Sequence, residues 1–244
     1  MATAKIEERE GIVLSRIPQK ERDAMVRVLG PHGFSSFYAR GALKVGGATG
    51  FCTQELCHSA FNLIVSSSGS LTLKEGRLLR LYAPQGGLDG MLVAQLLLEY
   101  CLRFLSEDDA PMFYPTLAKA LEALENGGDP FSVAIMFLAK AANVAGYGLE
   151  VDHCVLCGSK TGIVAMDLIH GGFLCADCLP ASSSAPCGGE ELRIYRHAFR
   201  CPEEDFVRVH YPLSSAKEVL RRLLEHIQDQ TGMSLKSLNP ILKA

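Results

Sequence analysis

The sequence predicts an α+β protein of several domains: a small β barrel followed by an α-helical domain that carries a four-cysteine insert. Three observations predict it. Short β-rich runs separated by Pro/Gly turns fill the first 84 residues, and near Gln85 the hydrophobic period changes from that of a strand to that of a helix. Further on, two CxxC pairs face each other between Cys154 and Cys178. With 244 residues, 48% of them apolar, the chain is long enough to bury real cores.

Strands are expected at 12–17 (IVLSRI), 24–29 (AMVRVL), 34–40 (FSSFYAR), 60–66 (AFNLIVS) and 69–82, where SLTLKEGRLLRLY alternates before Pro84. PQKERD and GPHG supply the first two turns. Between them and the fourth strand, RGALKVGGATGFCTQE (40–55) holds four glycines and reads as a mobile loop. Helices are expected at 88–105, at 115–125 with Leu117, Leu121 and Leu124 on one stripe, and at 131–146. The first is interrupted by Asp89, Glu99 and Arg103, so it reads as a buried helix and not a membrane span. The SEDDAP run (106–111) lies between helices as a solvated loop. After the insert comes the loop PASSSAPCGGEE, then a closing helix near 215–230 that starts with the capping-box spacing Ser215-x-x-Glu218. That helix turns Val219, Leu220, Leu223, Leu224 and Ile227 inward. The domains expected are therefore 1–84, 85–151, 152–180 and 181–244, the second and last forming one helical bundle.

The thiols carry the most specific signal. A CxxC turn brings two sulfurs to one ion, and Cys154, Cys157, Cys175 and Cys178 supply the four thiolates that tetrahedral zinc accepts, at the spacing C-x2-C-x17-C-x2-C. Four cysteines fill the coordination sphere, so the expected zinc, one per chain, is structural. The insert KTGIVAMDLIHGGF reads as a small hairpin in a zinc-ribbon-like fold, with Gly158, Gly171 and Gly172 turning amides towards the sulfurs. His153 and His170 read as rim residues; Cys52, Cys57, Cys101, Cys187 and Cys201 have no partner at ligand spacing. The odd count of nine cysteines favours reduced thiols, and the opening MATAKIEEREG lacks the apolar stretch of a secretory signal, so the expected compartment is the cytoplasm.

Net charge is −3, which by itself says nothing about a polyanionic partner, but its distribution is uneven. Residues 1–80 hold eleven Lys/Arg and seven Asp/Glu (net +4), 81–180 four and twelve (net −8), and 181–244 nine and eight (net +1). A polyanion is thus drawn to the first third. There Tyr38 and Arg40 share a strand face, pairing a flat ring with a cation as in single-strand grooves. Arg27 points outward between Val26 and Val28, Lys44 lies in the glycine-rich loop, and Arg16 and Lys20 bracket the first turn. The same residues also fit a plain solvated barrel. No P-loop, GxGxxG, HExxH or GxSxG motif is present, and a deaminase-type centre lacks its His-x-Glu and an open coordination position. No enzyme is expected.

The order of parts, together with GIVLSRIPQKERDAMVRVLGPHGFSSFYARGALK, AGYGLEVDHCVLCG, GGFLCADC and the closing LRRLLEHIQDQTGMSLKSL, resembles the RecO family of bacterial DNA repair proteins. The similarity spans nearly the whole chain, and the cysteines are its most specific part. Two departures stand out: VGGATGFC replaces the basic, serine-containing stretch after ARGA, and Leu149 stands where a proline commonly follows Gly148. The resemblance implies an OB-fold barrel that binds single- and double-stranded DNA. It implies a non-enzymatic mediator that anneals complementary strands and works with RecR to help RecA replace SSB. It also implies that the C-terminal helical part docks the acidic SSB tail, for which Arg193, Arg196, Arg221 and Arg222 are the available cations. A zinc-stabilised protein–protein adaptor that never touches nucleic acid is the alternative.

Overall fold

The computed structural model describes residues 5–233 and residue 235; Ser234, Lys236, Ser237 and Leu238, quoted above in the closing segment, lie outside them. Five strands, β1 (Lys5–Pro18), β2 (Ala24–Gly30), β3 (Gly33–Ala39), β4 (Cys57–Val65) and β5 (Leu71–Leu81), close in the order β1-β2-β3-β5-β4. All pairs are antiparallel except β3 with β5, which meet in parallel at Tyr38 and Thr72. This is the five-stranded barrel of an OB-fold. Its inside is filled by Val13, Val26, Val28, Phe37, Phe61 and Leu63, with the two phenylalanine rings 4.8 Å apart.

β1 is more than twice the expected length. Lys5–Ile12 pairs with β4 and Ile12–Pro18 with β2, so a single strand joins both edges and shuts the barrel. The first half, KIEERE, is polar and largely exposed, which is why alternation did not reveal it. Where β1 passes from one partner to the other, its backbone presses on β2: a Cβ on Gly30 would lie 1.9 Å from the Glu10 carbonyl oxygen, and one on Gly11 would lie 2.6 Å from that of Leu29. Only residues without side chains permit this approach.

The glycine-rich segment is not the loose loop expected. The Leu43 amide donates to the Arg22 carbonyl (3.0 Å) and the Gly47 amide to that of Lys44 (3.2 Å), and the segment ends in a short helix, α1 (Ala48–Cys52). Glycine lowers backbone stiffness, but here the hydrogen bonds decide.

The helices are α2 (Gly87–Phe104), α3 (Ala110–Glu125), α4 (Pro130–Val144), α5 (Gly189–Arg200) and α6 (Leu213–Thr231). α3 begins five residues before the expected Pro115, because Ser106 organises its first turn: its hydroxyl accepts from the Asp109 amide (3.0 Å) and its carbonyl from Ala110 (3.1 Å). α4 starts at Pro130 with Asp129 as cap, its carboxylate accepting from the Ser132 amide (2.8 Å), and it is buried on every side from Phe131 to Ala139. α5 was not anticipated, although Ile194, Tyr195, Ala198 and Phe199 form a buried stripe. α6 starts two residues before Ser215, and the expected capping box is absent: Glu218 instead accepts hydrogen bonds from Arg221 and Arg222. Its inward residues are those expected, and Gly232 ends it in the left-handed conformation (φ 68°).

The insert is a hairpin of β6 (Ile163–Asp167) and β7 (Gly172–Cys175). The chain divides into two compact units, residues 1–83 with 98–121, and residues 84–97 with 122–244. Among the described residues no helix is long and apolar enough to cross a membrane.

The close approach of β1 and β2 makes a definite prediction. Gly30→Ala is expected to push the Glu10 backbone away and cost about 1–3 kcal/mol of stability, read from urea denaturation, whereas Gly189→Ala, with open space around it and no left-handed backbone, is expected to cost less.

Candidate metal centre and nucleic-acid interface

Cys154 and Cys157 lie on the turn before β6, Cys175 ends β7, and Cys178 opens the next turn. Their four sulfurs all lie within 4.8 Å of one another, and Cys157 Sγ is 3.6 Å from Cys175 Sγ. Four sulfurs held about 2.3 Å from one ion stand about 3.8 Å apart, so the cluster can hold a metal ion and is compatible with zinc. Local turns explain the convergence. The Gly158 amide donates to the Cys154 carbonyl (2.8 Å) with Gly158 at φ 77°, and the Cys178 amide donates to that of Cys175 (3.2 Å).

The titration of the thiols points the same way. Burial works to raise the Cys154 thiol, but the amides of Cys175, Cys157 and Leu156 outweigh it and hold it down to about 6. The Cys178 thiol is pushed up to about 12, first by its hydrogen bonds with the sulfurs of Cys157 and Cys175. Four sulfurs this close cannot all lose their protons unless a cation takes up the charge. Behind them lie only a few apolar side chains, Ala165 and Leu174 buried and Val155, Ile163 and Leu179 partly so. On this face the hairpin has little apolar core of its own, so a metal crosslink would stabilise it, while Met166 and Phe173 are buried and β6 packs against α5.

Gly171 and Gly172 do not serve the sulfurs as expected. They lie at the opposite end of β7, where the Glu150 amide donates to the Gly171 carbonyl and the Phe173 amide to that of Glu150, both at 2.9 Å. A Cβ on Gly172 would meet the Glu150 carbonyl oxygen at 2.6 Å, so glycine is needed for this seam. Both histidines are held by carboxylates, His153 by Glu150 (3.3 Å) and His170 by Asp167 (2.8 Å). Asp167 is fully buried and also accepts from the amides of Ile169 and His170 and from the Ser182 hydroxyl. Burial works to raise its carboxyl, but the Ser182 hydroxyl, the His170 amide and the other donors hold it down to about 2. All nine cysteines are free thiols, with Cys52, Cys57, Cys101 and Cys201 buried.

On the barrel, the expected cations have different roles. Arg16 is half-buried and donates to the carbonyls of Ala42 (3.2 Å) and Gly50 (3.1 Å), fastening both ends of the glycine-rich segment. Arg27 lies 4.4 Å above the Phe34 ring and 3.4 Å from Glu107. The Tyr38 hydroxyl donates to Asp23, whose carboxylate also accepts from the Gly41 amide (2.8 Å); these two bonds, the Tyr38 one first, hold the Asp23 carboxyl below its ordinary range. Lys20, Arg40 and Lys44 are exposed. Lys20 and Arg40 both act on the charge of Asp23, and the turn that carries Lys20 is bonded through Arg22 to the segment that carries Lys44. Exposed Arg22, in the same PQKERD turn, was missed by the sequence reading although it adjoins Lys20. A cavity of about 220 Å³ opens beside these residues, lined among others by Arg16, Lys44, Val45, Phe51 and Gln54.

In the other unit, the four arginines considered for an acidic tail already have carboxylate partners. Arg193 pairs with Glu190 (3.3 Å), Arg196 with Asp152 (3.5 Å), Arg221 with Glu218 and Glu225, and Arg222 with Glu218 (2.7 Å). The structure does not gather them into one open basic pocket.

Residues 86–239 match the family model described as "Recombination protein O C terminal". The chain belongs to the RecO family. It is 30% identical to the DNA repair protein RecO of Syntrophomonas wolfei over 178 residues, covering 71% of this chain and 70% of that protein. To the RecO of Bacillus pumilus it is 29% identical over 239 residues, covering 93% and 90%, and to that of Bacillus subtilis 28% over 172 residues, covering 69% and 67%. A barrel of OB topology, a helical unit and a four-cysteine cluster are thus combined in a RecO family DNA repair protein.

Two outcomes are expected. Purified chain should carry about one divalent metal ion by elemental analysis, Cys154→Ser should carry much less, and a chelator should lower the melting temperature of the first but hardly of the second. For Asp167 the sign follows from a carboxyl held at about 2 when folded against about 3.9 when unfolded: its contribution is complete above about pH 4 and lost as pH falls towards 2. Asp167→Asn should therefore be about 1–3 kcal/mol less stable at pH 7, with the gap closing in acid denaturation series.

Proposed function

We propose that the chain binds single- and double-stranded DNA through the barrel and anneals complementary strands, and that with RecR it assists the loading of RecA on SSB-coated DNA. The observation that carries the DNA reading is the gathering of Lys20, Arg22, Arg40 and Lys44 on two loops bonded to each other, in a family of DNA repair proteins. Annealing needs no catalytic group. Cations that neutralise phosphates lower the repulsion between two strands and raise their local concentration.

The metal is zinc in this reading, held by Cys154, Cys157, Cys175 and Cys178 and purely structural, since four thiolates leave no position for substrate. The acidic SSB tail docks on the helical unit. Because Arg193, Arg196, Arg221 and Arg222 are each paired, the tail must exchange with Glu190, Asp152, Glu218 or Glu225, and its affinity will be modest and salt-sensitive. The setting is the cytoplasm.

The test is annealing and DNA binding of the full chain between about 50 mM and about 200 mM salt, where a surface with several phosphate contacts loses affinity steeply. Arg40→Glu and Lys44→Glu should each weaken binding and reduce the salt slope by about one. Unchanged binding in both variants removes the barrel assignment. Retention on DNA that ignores salt favours an adaptor, and metal-dependent turnover overturns the non-enzymatic reading.

A further inference from the structure

The cavity beside the barrel cations contains a residue that electrostatics does not explain. Phe51, in α1, is 59% exposed, and Val45 across the same cavity is 99% exposed. The neighbouring residue of α1, Cys52, turns inward and is buried against Gly76, so the orientation of the helix is settled by that contact and leaves the Phe51 ring in water. An exposed ring beside an exposed lysine is the pair that a single-stranded nucleic acid uses: the ring takes the face of a base and the cation its phosphate. A paired base inside a duplex has no free face to offer.

We propose that Phe51 is a base-stacking residue and that this cavity binds unpaired nucleotides, giving the barrel a preference for single strands. The inference rests on the reading of the barrel as a DNA surface and adds a contact that carries no charge. Arg16 makes the site rigid before DNA arrives, since its bonds to the carbonyls of Ala42 and Gly50 fix the segment on both sides of Lys44 and Val45. Gly46, at φ 72° and with open space where a Cβ would stand, leaves the rim low enough for a strand to pass. Gln54 adds an amide that can donate to or accept from a base edge. The stretch VGGATGFC, residues 45–52, carries one aromatic ring and no charge, so it adds stacking and no phosphate attraction of its own.

The chain contains no tryptophan, so Phe51→Trp introduces a single reporter at the proposed contact. Its fluorescence should be quenched by an oligothymidylate and left nearly unchanged by an abasic oligonucleotide of equal length or by a hairpin duplex. In anisotropy titrations Phe51→Ala should bind the oligothymidylate about tenfold more weakly, keep its duplex affinity within about twofold, and retain the wild-type salt slope, with Phe51→Tyr restoring most of the loss. Equal quenching by all three ligands, or an equal loss for single strand and duplex in Phe51→Ala, overturns the stacking role. If the wild type binds DNA but Phe51→Ala is indistinguishable from it, only the stacking proposal fails. If the wild type binds no oligonucleotide even at low salt, the reading of the barrel fails first.

Discussion

The barrel closes because one strand serves two neighbours. β1 gives its first half to β4 and its second to β2, and at the change of partner the backbone must pass Gly30 closer than any side chain would allow. The layout at the end that carries the β1–β2 turn follows from that closure. The β1–β2 turn and the segment after β3 are brought together there, and once adjacent they lock through Arg22, Asp23 and Arg16. Charge is thus concentrated by backbone geometry, and a chain with a net charge of −3 still presents a cationic surface.

The four-cysteine insert follows a different economy. Its hairpin has two short strands and a few apolar side chains, well below what an independent hydrophobic core requires. The thiols offer a second means of closure: amides hold the Cys154 thiol down, while the sulfurs beside Cys178 push its thiol up, so a cation is the natural partner for the group. The buried carboxylate of Asp167 tightens the far end of the same hairpin by organising the turn between β6 and β7. The thiol cluster and the carboxylate therefore stand at opposite ends of one small element.

Most of the barrel and the whole thiol quartet were legible in the sequence, because alternation and ligand spacing are local properties. Val26, Val28, Phe37 and Phe61 announce their inward faces within a few residues of themselves. The first half of β1 did not, since a strand with water on both faces carries no alternation. α5 was hidden by the Gly188-Gly189 start and by charges that outnumber its buried stripe. The capping box at Ser215 had the right spacing in the wrong place, and Glu218 is occupied by arginines of its own helix. Least legible was Arg16, whose partners lie 26 and 34 residues further on; sequence shows a cation but not that two carbonyls claim it.

The helix buried on all its sides has a temporal consequence. α4 packs against α5 and α6, both of which follow it in the chain beyond the four-cysteine insert. During synthesis its apolar surface therefore leaves the ribosome some seventy residues before α6 begins to arrive. Until α5 and then α6 arrive, the surface they cover stays exposed, and an apolar nascent segment of that kind is prone to aggregate.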